Sequence, residues 1–273
     1  DPGGIPLYKH GRAAGGVEGN GRYTIDLDPT DRDVTEEERI AVAATHGYAA
    51  PRAIRGDHIL VGGLRFPFIN VKEPATVRVA TLSPGPSDIP EPIPGTRFVA
   101  YTLGGVHGTV DPRFFPPRES LEPPVSDSGL GVDDVMRILT QAARQADRTR
   151  AGIRRPLGDH ARVNIAVVDR GGNVLGIFRT RDAPTFGFDV SAQKARTAAF
   201  FSSTTATTQL NALQQQDMSV KVATFVDAAA KEGLGLDGSV AFSDRAYGFL
   251  SRPFFPDGSD ATRVGQYHKG GRG

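Results

Sequence analysis

Six histidines, at positions 10, 46, 58, 107, 160 and 268, are the obvious metal and proton-transfer donors of this chain, and no cysteine joins them. Disulfides, thiolate nucleophiles, iron–sulfur clusters and Cys-type zinc sites are thereby excluded. His10 falls in a glycine-containing turn, His46 at a helix end and His268 in a Gly/Lys/Arg tail, so each reads as a surface or capping residue. Lys194 and Thr197 stand three apart in a helical stretch and share a face, whereas Arg196 points elsewhere. They are candidates for gripping a ligand, although a lysine that only snorkels along a sheet edge leaves the same pattern. Phe186 and Phe188 flank Gly187 just before that helix, where they can wall a pocket or pack in the core. Asp26, Asp28, Asp31 and Asp33 form an acidic cluster with Glu37 at EF-hand distance from Asp26. Asp31 occupies the place of the sharp-turn glycine and Pro29 intrudes, so solvated loop carboxylates are the plainer account. Gly233, Gly235 and Gly238 spell GxGxxG, but behind a helix and not a strand, which argues against a dinucleotide site. Arg55-Gly56-Asp57 reads as a turn. No GxSxG elbow, HExxH helix or Walker loop occurs, and no spacing marks a nucleophile–base pair, so catalysis is unsupported.

The chain that must position these groups has 273 residues, 38% of them hydrophobic and 23% charged, as in an ordinary globular protein of one or two domains. Its net charge of +1 supplies no basic field for nucleic acid. Apolar runs such as 165–168 fall far short of the roughly 20 residues of a membrane-spanning helix. Asp1-Pro2 at the start reads as a processed or trimmed end, and a secreted or periplasmic protein is expected.

Residues 5–8 and 13–17 read as two short strands around the turn 9–12. Thr35 and Glu38 form a capping box that opens a helix over 36–45, with Ile40, Ala43 and Ala44 at helical spacing. β-like runs at 59–64, 76–80 and 98–102 are then separated by proline-rich stretches, densest from Pro84 on, and 51–127 is expected to be an extended arm. Val132, Val135, Met136, Leu139, Ala142, Ala143 and Ala146 make an amphipathic stripe behind Asp133-Asp134. Residues 163–168 and 173–178 form a hairpin around 169–172; further helices are expected from about 189 to 201 and over 219–231.

Val163-Asn164-Ile165-Ala166-Val167-Val168-Asp169-Arg170-Gly171-Gly172, the Asp182-Ala183-Pro184 turn and Lys194-Ala195-Arg196-Thr197-Ala198 resemble the GlcG/HbpS-type haem-binding family, which includes the PduO C-terminal-like domain. The family's closing pieces, a "GGxPLYxxGxxVGxxG" hairpin and an acidic-capped helix, are present as 3–17 and 36–45 but come first in this chain. The resemblance implies an α+β fold: an antiparallel sheet of about five strands with packed helices, profilin-like, with an extended proline-rich arm added. It implies a domain built from 1–50 and 128–215, either permuted within one chain or completed by a neighbouring chain of the same precursor, an arm at 51–127 and a C-terminal helix and extension at 216–273. It further implies a small-ligand pocket at Lys194, Thr197, Phe186, Phe188, Asp182, Gly4 and Pro6, haem as cofactor, and a homo-oligomer. The first helix carries Thr140 and Gln141 where some members place a histidine ligand, so the axial donor and any metal ligand stay open. Two other readings are a cofactor-free assembly subunit, whose arms and Phe114-Phe115 and Phe254-Phe255 grip a neighbour, and a small-molecule enzyme using Lys194.

Overall fold

In a computed structural model of the chain, the described residues are 3–20, 34–61, 64–71, 96–150, 159–216, 229–231 and 233–250. The opening alternation closes into a hairpin of β1 (Gly4–Lys9) and β2 (Arg12–Asn20). The mid-chain valine-rich run forms a second hairpin, β7 (Asn164–Asp169) and β8 (Val174–Thr180). The two are neighbours: β2 pairs antiparallel with β7 from Gly15 opposite Asp169 to Asn20 opposite Asn164. Gly15 and Gly16 make this approach possible, because a Cβ on Gly15 would overlap the Val168 carbonyl and one on Gly16 the Ala195 carbonyl.

The whole sheet has six antiparallel strands in the order β1-β2-β7-β8-β6-β5. Its far edge is β5 (Val99–Leu103) and β6 (Val106–Val110), residues that the sequence reading assigns to the arm. They bring the sheet from four strands to six, against the expected five or so. The β-like run expected at 98–102 is thus a strand, but of the main sheet and with β6 as an unexpected partner, while the prolines from 84 to 94 lie outside the described residues. A separate two-stranded ribbon pairs β3 (Leu60–Val61) with β4 (Leu64–Arg65).

Helices cover both sheet faces, which is why β7 is buried along its whole length and reads as a continuous apolar run. Ile165 and Val167 join the large core with α1 (Glu36–Ala44) and α2 (Val132–Arg148). Val168 turns the other way, against Ala195 and Ala199 of α3 (Gly187–Phe201). On α2 the expected stripe holds, with two changes: Val132, in the first turn, is 43% exposed, and Ile138 is fully buried. Asp134 accepts from Gly131 N–H at the helix start, from Lys9 Nζ at 2.7 Å and from Tyr48 OH at 2.6 Å, tying three elements together. Burial would raise the Asp134 carboxyl, but these bonds, led by Lys9, hold it below its ordinary range.

Thr35 caps α1 as expected, accepting from Glu38 N–H. The other half of the capping box is replaced. The buried Glu38 carboxylate turns to Arg245 at 2.7 Å and to the Asn70 N–H, a charge-assisted pairing stronger than a bond to a neutral amide. After α3 come α4 (Ala206–Gln216), absent from the sequence reading, and α5 (Asp244–Leu250). Of the helix expected over 219–231, residues 219–228 lie outside the described residues and 229–231 are helical. Leu234, Leu236, Val240 and Phe242 pack with Phe66 in a second core under α3 and α5.

Candidate functional site

Two polar sites stand out on the same sheet, one built on β8 and the other on β2. The first is a cleft of about 780 Å³ lined by Thr96, Arg97, Phe98, Thr109, Arg179, Asp182 and Thr185, within the size range of small-molecule sites. Arg179, the penultimate residue of β8, points across the sheet at its base and is 7% exposed. Its guanidinium lies 3.9 Å from the Phe98 ring centre and donates from Nε to Asn164 Oδ1 at 2.9 Å and from Nη2 to the Ala183 carbonyl at 2.6 Å. The remaining nitrogen, Nη1, makes only a 3.4 Å contact with Thr109 Oγ1. Among the described residues no carboxylate pairs with this buried cation, and burial together with the nearby Arg97 lowers its pKa.

Arg97 sits at the rim, paired with Asp111 at 2.7 Å and stacked near Phe98 and Phe188. Asp111 also takes Arg113 at 2.8 Å; burial works against its charge, but Arg113 and then Arg97 keep the carboxyl below its ordinary range. Two arginines thus share one carboxylate beside the ring cluster Phe98, Phe114 and Phe188, with Arg179 as a third, unpaired cation over Phe98. Positive charge, hydroxyls and an aromatic floor converge on one opening, which suits a flat ligand with an acid group.

The second site is closed. Glu18 of β2 is 0% exposed and neither of its oxygens has a hydrogen-bond partner; Lys194 Nζ of α3 lies 3.5 Å from Oε1. Asp244, the first residue of α5, is 6% exposed with both oxygens likewise unanswered, although the Gly4 N–H faces it. Gly4 permits this packing, since a Cβ there would overlap the Asp244 carboxyl group. Glu37 of α1 is buried beside them. Burial, only partly offset by Lys194, pushes the Glu18 carboxyl up to about 8 and that of Asp244 up to about 7.

The expected pocket residues divide between these sites. Lys194 and Gly4 meet at the closed cluster, and Asp182 lines the cleft with Phe188 packed beneath it. Phe186 is 50% exposed. Thr197 bonds back to the Gln193 carbonyl of its own helix, and Pro6 is buried in β1 opposite Gly16. Arg196 holds the Gly172 carbonyl. Asp169, in the middle of the "VVDRGG" run, accepts from Asn173, Leu121 and Glu122 N–H groups and so shapes a turn. The GxGxxG text is a loop whose Leu234 and Leu236 are core residues, and Arg55-Gly56-Asp57 is a 3-10 turn with Arg55 over Phe68. The acidic positions 26–33, His268 and Phe254-Phe255 lie outside the described residues. Arg97, Arg179, Glu18 and Asp244 escaped the sequence reading. Two of them carried a signal, a charge set in or closing an apolar run: Gly-Val-Glu18-Gly and Ile-Phe-Arg179-Thr.

Residues 132–245, from the start of α2 to the first turn of α5, match the family model described as haem degrading protein HbpS-like. This segment is similar to the HbpS-like family. The match agrees with the GlcG/HbpS-type resemblance of the hairpin and helix motifs, and it takes in Arg179, Lys194 and Asp244. The HbpS-like segment lacks β1, β2, β5 and β6, so the rest of the chain supplies four of the six strands, and Thr96, Arg97, Phe98 and Thr109 of the cleft. No curated protein and no solved structure matches the chain.

Proposed function

We propose that this chain is a non-catalytic binding protein of the GlcG/HbpS type, which holds a small carboxylate-bearing ligand in the Arg97–Arg179 cleft. The observation that carries the reading is Arg179: a buried guanidinium with no carboxylate of its own among the described residues and one nitrogen left toward the cleft. A buried charge is costly until it is paired, and a ligand acid group is the natural counter-charge.

Haem is the ligand that the family description favours. The cleft residues fit its propionates, through Arg97, Arg179 and the three threonines, and its ring face, through Phe98. They do not fit its iron. The lining holds no histidine, methionine, tyrosine or lysine; His107 bonds Thr102, and His160 pairs with Asp159. Binding in this cleft is therefore expected to depend on the acid groups and the ring.

Absorbance titration with hemin and with metal-free protoporphyrin tests this directly. Both should bind with similar affinity, and Arg97→Ala should weaken both about tenfold or more, the value of one charge-assisted hydrogen bond. The proposal fails if neither pigment binds, or if the Arg97→Ala and Arg179→Ala proteins bind as the parent does. The reading extends to an exported homo-oligomer. Leu121 at 72% exposed and Val132 at 43% leave apolar surface near the arm for a second copy. Light scattering on a sizing column and cell fractionation check these two points.

A further inference from the structure

The closed cluster joins five elements around two carboxyl groups. Glu18 comes from β2, Glu37 from α1, Lys194 from α3 and Asp244 from α5, while Gly3 and Gly4 lie across them as the start of β1. Directly beside it, the same α1–α5 contact is fully answered: Glu38 pairs with Arg245 and accepts from Asn70. One residue earlier on each helix, Glu37 and Asp244 face Glu18 with Lys194 as the facing cation. Lys194 acts on both carboxyls and the α-amino group on Asp244, yet for each the cost of burying the charge outweighs these attractions, so burial favours the neutral acids.

We propose that Glu18 and Asp244 form a proton-controlled latch: while they hold protons, α5 stays seated on Glu18 and the start of β1, and when both ionise, α5 lets go. Glu18 belongs to β2 and Asp244 to α5, and each charge disfavours the other, so repulsion between the ionised pair acts to part α5 from β2. Other ties of this segment do not involve these carboxyls: Ser243 Oγ donates to the Phe68 carbonyl, and Tyr247 stacks on Phe201 at 4.7 Å. These ties and the Glu38–Arg245 pair hold α5 from its other sides and must be overcome when both carboxyls ionise; none of them belongs to the sheet, which stays intact. The raised carboxyls agree in sign. Their folded form binds protons more tightly than the unfolded form, so docking is strongest at acid pH and fades as pH rises through about 7 to 8. This proposal does not depend on the ligand reading of the cleft.

Hydrogen exchange read by mass spectrometry tests the latch on the full chain at about pH 6 and about pH 9, corrected for intrinsic exchange. Peptides spanning α5 should lose protection at least about tenfold at the higher pH, while β7 and β8 keep theirs. The Glu18→Gln/Asp244→Asn protein, whose amides imitate the protonated carboxyls, should stay protected at both. Equal protection of α5 in the parent at both pH values overturns the proposal, as does equal loss in the sheet, or opening of the double variant like the parent. If the double variant does not fold, each single amide variant should displace the pH of opening, and an undisplaced midpoint counts against the latch.

Discussion

The cleft and the closed cluster bury charge in opposite ways. In the cleft, the Arg179 cation is propped by an amide oxygen, a carbonyl and a ring face, and keeps its charge while waiting for an anion. In the cluster, Lys194 at 3.5 Å from Glu18 and the Gly4 N–H facing Asp244 do not offset desolvation, so burial turns both toward the neutral acid. An arginine can hardly shed its proton, whereas a carboxylate readily takes one. The same degree of burial therefore makes a ligand site on β8 and a proton-holding joint on β2.

The largest test of that contrast is pH. The stability contributed by Glu18 is present below its unfolded value and lost as pH rises through about 8, a change on the order of 4 kcal/mol that release of α5 can cap. Denaturant unfolding from about pH 5 to about pH 9 should show the fall, and Glu18→Gln should flatten it. Next in size is Arg179→Ala, which strips the bonds to Asn164 and Ala183 and should cost about 2–3 kcal/mol by thermal melting. Unlike the cluster, it should leave the pH profile unaltered. Gly4→Ala should cost about 1–2 kcal/mol, because the Asp244 carboxyl must move from a packed position, and it should sharpen the comparison by moving the pH midpoint as well. The smallest effect belongs to Thr197→Val: a residue that only bonds its own helix should change stability by less than about 0.5 kcal/mol and leave pigment binding alone.

Local signals made much of the fold legible. The Thr35 cap, the α2 stripe and the two glycine-turned hairpins depend on residues close in sequence. The pairing of those hairpins followed from a family resemblance and not from periodicity. β5 was legible as the β-like run at 98–102, but β6 and the place of both in the sheet were not, because flanking prolines suit an arm as well as an edge hairpin. The candidate sites were harder, since each is assembled by tertiary approach. Arg97 meets Arg179 only through the β6–β8 pairing, and Glu18 meets Asp244 only when α5 docks on β1. Lys194 was legible as a polar residue on a helix face; that its partner is a fully buried glutamate was not.

The register of β2 on β7 joins positions 15 and 169, separated by on the order of 150 residues, in the middle of the sheet. A ribosome must therefore release most of the chain before the opening hairpin meets its permanent neighbour. Closing so wide a loop carries an entropic cost, and parting from the fast, local β7–β8 ribbon, the central seam should zip late. Until then the first hairpin presents a bare edge, and newly made chains are most prone to trade strands with one another in that interval.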